Sequence, residues 1–356
     1  VTMRLLIVTD AWRPQVNGVV RTLGMVADAL RAEGHVVEIA GPDRFTSCAC
    51  PTYPEIRLAL LPGRRLARIA RDFRPDALHI ATEGPLGMAA RRWALTRGLD
   101  FTTSFHTRFP EYLHARFGMP VGPAYGALRW FHGAAAATLV PTASIARDLA
   151  ARGFGGLRNW TRGVDLSGFR PGGGRDWQRE FGRQGPYFLS VGRVAVEKNL
   201  DAFLRLDLPG SKIVVGDGPA RADLQRRYPD ALFVGTLEGE ALRAAYAGSD
   251  VFVFPSRTDT FGLVILEALA CGLPVASFNA PGPADIFAGA PSAIHACGDD
   301  LQAQARALLT TDRDACRAWA ERFDWAACAA VFARHLVPLR RPARQQHRTW
   351  DAAAAY

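Results

Sequence analysis

An α/β fold of two domains, each a parallel sheet covered by helices and facing its partner across a cleft, is what this sequence predicts. Three observations predict it. Short β-branched and leucine-rich runs alternate with helical patterns along most of the 356 residues, one Gly/Arg/Pro-rich break divides them, and 49% hydrophobic with 10% aromatic content supplies two ordinary cores.

The strand-like runs lie near 4–9, 36–40, 77–81, 101–105 and 138–140, then 187–191, 212–216, 231–235, 251–254 and 274–277. Between them, 18–33, 84–97, 142–152, 198–206, 238–247 and 262–271 read as helices, with Thr142 as a cap. The break is "TRGVDLSGFRPGGGRD", residues 161–176, which separates a domain over 1–165 from one over 166–320. Residues 321–340 are purely helical in pattern, and 341–356 form a basic tail, with Arg340, Arg341, Arg344 and Arg348 at or near its start. Ligands of open parallel sheets bind outside the carboxyl ends of the strands, which directs attention to the loops at 10–18, 81–85, 105–112, 192–198, 216–219, 235–238 and 255–262.

Charge and cysteine usage narrow the function. The net charge is +9, and residues 1–165 hold 21 basic against 13 acidic groups, so nearly all the excess lies in the first half. Six cysteines show no C-x-x-C pair and no spacing shared with His, which argues for reduced thiols rather than a zinc site or a disulfide framework. The opening residues run straight into "RLLIVT" without the pattern of a signal peptide, and no apolar run approaches a membrane span; a cytoplasmic protein is expected. A nucleic-acid binder would also be basic, but aromatics are not interleaved with the arginine clusters and no nucleic-acid motif occurs.

The chemistry concentrates in the second half. "SRTDTFGLVILEALACGLPV", residues 256–275, places Asp259 in a loop and Glu267 one to two turns inside the helix that follows, starting at Phe261-Gly262. At ~1.5 Å per residue they stand up to roughly 12 Å apart, too far for the ~5–9.5 Å of a glycosidase carboxyl pair. The spacing suits one long ligand held at both ends, with a helix N-terminus offering N–H groups to an anion between them. A nucleotide-sugar has that layout. "SVGRVAVEKNL" adds Arg193 and Lys198 in one strand-to-helix loop, two cations suited to a diphosphate. Only Lys198 and Lys212 among 43 basic residues are lysine, so a retained lysine is informative. "VGDGP", 215–219, is a Gly turn with Arg221 where a dinucleotide fingerprint needs its third glycine. In the first half, "SFHTRFPEY" carries His106 off a strand's carboxyl end toward the cleft, followed by Arg108 and Glu111. Asn17-Gly18 opens a helix, and Gly18 permits close approach of a ligand. "DRD" at 312–314 sits in the terminal helical region, away from every cleft loop, and no metal site is expected.

Five motifs in this order, "VNGVVRTL", "FHTRFPEY", "GRVAVEKNL", "VGDGP" and "DTFGLVILEALACGLPV", resemble the retaining glycosyltransferases of GT-B architecture in the family-4 group. The resemblance runs from about residue 3 to 338 and is nearest the branch that glycosylates diacylglycerol-type lipids, with sulfoquinovosyl-, glucosyl- and mannosyl-transferases. It implies an acceptor-binding first domain, a nucleotide-sugar-binding second domain and a C-terminal helix that packs back on the first. It further implies that Arg193 and Lys198 hold the donor diphosphate, that Glu267 binds ribose hydroxyls, and that Asp259 orients the donor sugar. There Asp stands where the family's E-x(7)-E pair has Glu. Gly18, Gly216, Leu237, Phe261, Gly262, Leu263 and Val264 would complete the donor site, His106 would lie near the reacting carbon, and Asn17, Glu83, Arg108 and Tyr112 would face the acceptor. The chemistry implied is front-face substitution, with double displacement as the open alternative, a UDP-sugar favoured over a GDP-sugar as donor, and no metal or cofactor.

"GRRLARIARDFRP", 63–75, places Leu66, Ile69, Ala70 and Phe73 on one helical face and Arg64, Arg65, Arg68, Arg71 and Arg74 around the others. A sheet-covering helix explains the apolar stripe, and an anionic membrane surface suits the arginines. The expectation is a peripheral enzyme on the cytoplasmic leaflet with a lipid acceptor, contacted by Trp12, Phe109, Tyr112 and Trp130. A polysaccharide or small-molecule acceptor is the alternative, and an isomerase or phosphorylase of the same fold is the rival of a different class.

Overall fold

Alternating side chains on a strand buried on both faces supply two cores at once, and β1 (Arg4–Val8) shows how. Leu6 and Val8 join the cluster on one side of the sheet, and Leu5 and Ile7 join that on the other. The computed structural model describes residues 2–15, 17–50 and 53–339, so the basic tail and its arginines lie outside the described residues.

The first sheet adds β2 (Val36–Ala40), then, after a two-stranded antiparallel hairpin of β3 (Ser47–Cys50) and β4 (Tyr53–Ala59), β5 (Ala77–Ile80), β6 (Thr102–Ser104), β7 (Ala137–Val140) and β8 (Leu157–Asn159). Its order is β2-β1-β5-β6-β7-β8, all parallel. The second sheet repeats the plan with β9 (Tyr187–Val191), β10 (Ser211–Val215), β11 (Leu232–Gly235), β12 (Val251–Phe254), β13 (Val275–Ser277) and β14 (His295–Cys297), in the order β11-β10-β9-β12-β13-β14. All ten expected strands form; β3, β4, β8 and β14 come in addition.

Helices α1 (Gly18–Ala32), α2 (Gly63–Phe73), α3 (Pro85–Leu95), α4 (Phe109–Phe117), α5 (Val121–His132) and α6 (Ala143–Ala151) belong to the first domain. In α2, Leu66, Ile69, Ala70 and Phe73 are buried in the sheet's core while Arg64, Arg65, Arg68, Arg71 and Arg74 are exposed, so the stripe covers the sheet and the arginines face outward.

The chain crosses between domains twice, side by side. Val164 N–H donates to Phe323 O at 3.0 Å, and a Cβ on Gly163 would stand 2.6 Å from Trp325 N. The second crossing leads into the helix Trp325–His335, which buries Trp325, Cys328, Ala329 and Phe332 against β1 and α1. The C-terminal helix therefore returns to the first domain, as the resemblance implied.

Candidate active site between the two sheets

The second domain contributes the charged end of the site. β9 leads through Arg193 into a 3₁₀ turn, Val196–Lys198, and Lys198 Nζ donates to Asp259 Oδ1 at 2.5 Å. Burial works against the ammonium, but the charge of Asp259, with Tyr112 and Glu197, raises the Lys198 pKa above the ordinary lysine range, so it is a permanent cation. The other carboxylate oxygen, Asp259 Oδ2, is buried with no hydrogen-bond partner among the described residues. Thr258 Oγ1 donates to Glu197 O at 3.0 Å and Asn199 Nδ2 to Pro255 O at 3.1 Å, which ties the Asp259 loop to the Lys198 turn.

The helix after that loop runs from Leu263 to Ala270, starting just past the predicted Phe261-Gly262. Gly262 precedes it at φ 101°, a left-handed conformation that any side chain would strain. The first N–H groups of such a helix lack intrahelical partners and carry the positive end of its dipole. Gly216, at φ 134°, packs so closely that an added Cβ would stand 1.9 Å from Gly192 O; the loops after β9 and β10 touch backbone to backbone. Phe261 is buried, and Leu237, Leu263 and Val264 pack partly buried against the same core.

Glu267 is buried inside the helix. Its Oε1 accepts from Arg21 of α1 and its Oε2 from the Tyr246 hydroxyl at 3.0 Å. Burial raises its pKa, and Arg21 and the Tyr246 hydroxyl oppose the rise. The two carboxylates that the sequence singles out thus serve different neighbourhoods, one with Lys198 in the loop and one with Arg21 deeper along the helix.

On the first-domain side, a Cβ on Gly18 would lie 3.6 Å from Leu263, so the start of α1 abuts the start of the Leu263–Ala270 helix. Asn17, expected on the acceptor side, is the α1 cap: its Oδ1 accepts from Val19 and Val20 N–H at 3.0 Å. Glu83 accepts from buried His132 at 3.0 Å. Arg108 is engaged with Asp148 at 2.9 Å and Glu111 at 3.2 Å. These three side chains are occupied in holding the first domain's helices and strand ends together. Tyr112 lies within the field of the donor loop: burial raises its phenol pKa, Lys198 opposes, and Asp259 and Glu197 add to the rise.

The His106 ring is partly buried at the end of the first-domain strand. Its Nε2 is 2.8 Å from Ser104 Oγ and its Nδ1 3.3 Å from Arg162 Nη2, so both ring nitrogens are taken by first-domain groups. An arginine always donates, which makes Nδ1 the acceptor and Nε2 the protonated nitrogen. Burial, then Arg162 and His79, push the His106 pKa well below the ordinary range, and the ring is neutral. The ring joins the polar run of buried His79, Ser104 and Arg162, and the backbone carbonyl of His106 meets the second domain by accepting from Thr260 Oγ1 at 2.6 Å.

Cross-cleft partners are what sequence reasoning missed. Arg21 pairs with Glu267, Arg116 of α4 with buried Glu197, Thr260 with the His106 carbonyl, and Ser144 N–H with Asp285 at 3.3 Å. Glu197, a natural partner for its neighbour Lys198 by position, is held instead by Arg116. Asp312 of the "DRD" stretch caps a helix by accepting from Asp314 N–H at 2.9 Å.

Two parallel-sheet domains with the carboxyl ends of their strands turned to one charged cleft define the GT-B class of glycosyltransferases. Residues 16–167 match the family described as Glycosyltransferase Family 4, and residues 185–314 match Glycosyl transferases group 1. The chain is 37% identical over 308 residues to sulfoquinovosyl transferase SQD2 of Arabidopsis thaliana, covering 79% of this chain and 60% of that one. It is 35% identical over 314 residues to a GDP-mannose-dependent alpha-mannosyltransferase of Mycolicibacterium smegmatis, covering 80% and 82%. It is 26% identical over 317 residues to an alpha-monoglucosyldiacylglycerol synthase of Streptococcus pneumoniae, covering 78% and 72%. Sucrose-phosphate synthase from Thermosynechococcus elongatus has the same fold, with a TM-score of 0.71, 19% identity and coverage of 93% and 98%. The chain belongs to this glycosyltransferase family.

Proposed function

We propose that the enzyme moves a hexose from a nucleotide-diphosphate sugar to the hydroxyl of a membrane glycerolipid, with retention at the reacting carbon. The observation that carries this reading is the Lys198–Asp259 pair set at the N-terminus of the Leu263–Ala270 helix, with Glu267 farther along the same helix. Arg193, Lys198 and the helix N-terminus meet the charge that develops on the departing diphosphate. Asp259 Oδ2, buried and without a hydrogen-bond partner among the described residues, would accept from a hydroxyl of the donor sugar, and Glu267 would take the ribose at the other end. In a front-face substitution the bond from the anomeric carbon to the diphosphate breaks as the acceptor oxygen enters on the same side. The acceptor proton passes to the leaving diphosphate. With three cationic elements facing that leaving group, the reaction needs no metal, and saturating chelator is expected to leave the rate unchanged.

The lipid acceptor rests on two supports. One relative is named for making a glucosyldiacylglycerol. On this chain, Arg64, Arg65 and Arg68 of α2 line a cavity of about 740 Å³ together with Arg4, Arg44 and the carboxylates Glu38 and Asp72, and Leu60 and Leu61 stand exposed just before that helix, Leu61 at 97%. A basic face beside bare leucines suits the boundary of an anionic leaflet. Phe109 and Trp130 are exposed as well, Trp130 with Arg91 stacked at 3.8 Å, while Trp12 and Tyr112 are half-buried. No helix among the described residues is long and apolar enough to cross a membrane; the contact proposed is peripheral, on the cytoplasmic leaflet.

The test is nucleotide release from UDP-glucose, UDP-galactose, UDP-glucuronate, UDP-sulfoquinovose and GDP-mannose, with and without diacylglycerol vesicles and with Lys198→Ala as control. Vesicle-dependent release of one nucleotide, lost in the variant and giving an α-linked product, supports the reading and names the donor. Release indifferent to lipid would move the acceptor to a soluble glycan; turnover without any acceptor would favour an isomerase or phosphorylase.

A further inference from the structure

Arg21 lies about one turn into α1 of the first domain, and its guanidinium donates to Glu267 Oε1 of the second. The two helices meet at matched positions: Gly18 stands over Leu263, and three and four residues farther along Arg21 stands over Glu267. Phe169 supports the guanidinium from the side, 5.0 Å from its ring centre. Tyr246 occupies the other oxygen of Glu267 at 3.0 Å.

Each carboxylate oxygen has two acceptor positions. Arg21 takes one on Oε1 and Tyr246 one on Oε2, which leaves one on each oxygen, the arrangement a pair of neighbouring hydroxyls requires. A carboxylate as buried as Glu267 tends to take up a proton when no cation is near, and a protonated carboxyl offers a donor where the diol needs an acceptor. No other ion pair to Glu267 occurs among the described residues; the charge that holds it ionised comes from the opposite domain.

We infer that Arg21 is a positioning residue for the donor ribose, acting through Glu267, so that the acceptor-side domain completes the nucleoside site of the donor-side domain. The inference rests on the ribose reading of Glu267 given above. It links two events: the ribose is fully recognised only when the domains are closed on each other, and a nucleotide bound at Glu267 favours that closed arrangement.

The experiment measures binding of UDP and GDP, and of the 2′-deoxy and 3′-deoxy forms of whichever binds more tightly, to the wild-type chain and to Arg21→Met, Arg21→Gln and Arg21→Lys. Hydrogen bonds to a charged acceptor predict that the wild type prefers the ribonucleotide by about 10- to 100-fold. In R21M and R21Q that preference falls below ~3-fold, and R21K recovers part of it, a pattern that mere loss of a surface ion pair would not give. The Arg21 side chain is 41% exposed, so these variants are expected to fold. Retention of the full preference in both R21M and R21Q overturns the inference while leaving Glu267 as the ribose ligand. Absence of any preference in the wild type overturns the ribose reading of Glu267, and this inference with it.

Discussion

Replacing Lys198 by Met removes a charge from the site while keeping most of the side chain's volume. Its ammonium is 2.5 Å from Asp259, with 24% of the lysine side chain and 16% of the aspartate side chain exposed. Breaking a fully buried pair costs about 3–5 kcal/mol and an exposed one about 0–1 kcal/mol, so this pair should cost about 1–3 kcal/mol. In domains of this size each kcal/mol lowers the melting temperature by roughly 2–4 °C, which predicts a fall of about 2–12 °C. If Lys198 also meets the departing diphosphate, kcat falls by about 10²–10³-fold. Differential scanning fluorimetry and nucleotide release read the two effects separately. The double variant K198M/D259N divides them, because neutralising Asp259 removes the stranded carboxylate: the melting temperature recovers and kcat does not. A folded K198M enzyme with kcat within ~3-fold of wild type would show that Lys198 serves only to hold Asp259, and the leaving-group argument would be wrong.

Charge reversal on the α2 face, R64E/R65E/R68E, should weaken binding to vesicles rich in anionic lipid by at least ~100-fold, at about 1 kcal/mol per basic residue lost, with little effect on melting temperature because all three are exposed; vesicle sedimentation decides it. Gly216→Ala should destabilise the second domain by about 2–4 kcal/mol in chemical denaturation, since its φ of 134° and the carbonyl of Gly192 both refuse a Cβ. Burial, with Arg162 and His132, lowers the His79 pKa to about 3, so the unfolded chain binds the proton more readily than the folded one. Stability is therefore fully present above pH ~6.5 and is lost as pH falls from there toward 3; the denaturation midpoint should drop between pH 7 and 5, and His79→Gln should reduce that drop.

How much of this was legible in the sequence depended on how local the signal was. Strands such as Tyr187–Val191 and Val251–Phe254 announce themselves because both faces are buried and every position is apolar or small. The strands Leu157–Asn159 and His295–Cys297 are three residues long at the sheet edges, partly exposed, and carry no such run. The α4–α5 pair was hidden by Pro110, Gly118, Pro120, Gly122 and Pro123, which read as loop, although the two prolines at 110 and 120 in fact precede or open helical turns. Asp259, Glu267 and Lys198 stood out because each lies in one short motif of the second domain. Arg21 and Arg116 did not, since their partners lie 246 and 81 residues away and arginine is the commonplace cation of this chain. The partner of the His106 ring was hidden for the same reason, since Arg162 lies 56 residues on.

The double crossing between the domains has a mechanical meaning. A single connecting segment would act as a swivel, free to twist as well as bend. Two segments bonded to each other at Val164 and Phe323 behave as a strap hinge, stiff against twisting and compliant about one axis. Any opening of the cleft would then follow one arc, and the partners at Arg21–Glu267, Arg116–Glu197 and Thr260–His106 would come back into register together on closing. Cutting the chain before Trp325 would remove one leaf of that hinge, and the two halves would lose their shared alignment even with both sheets intact.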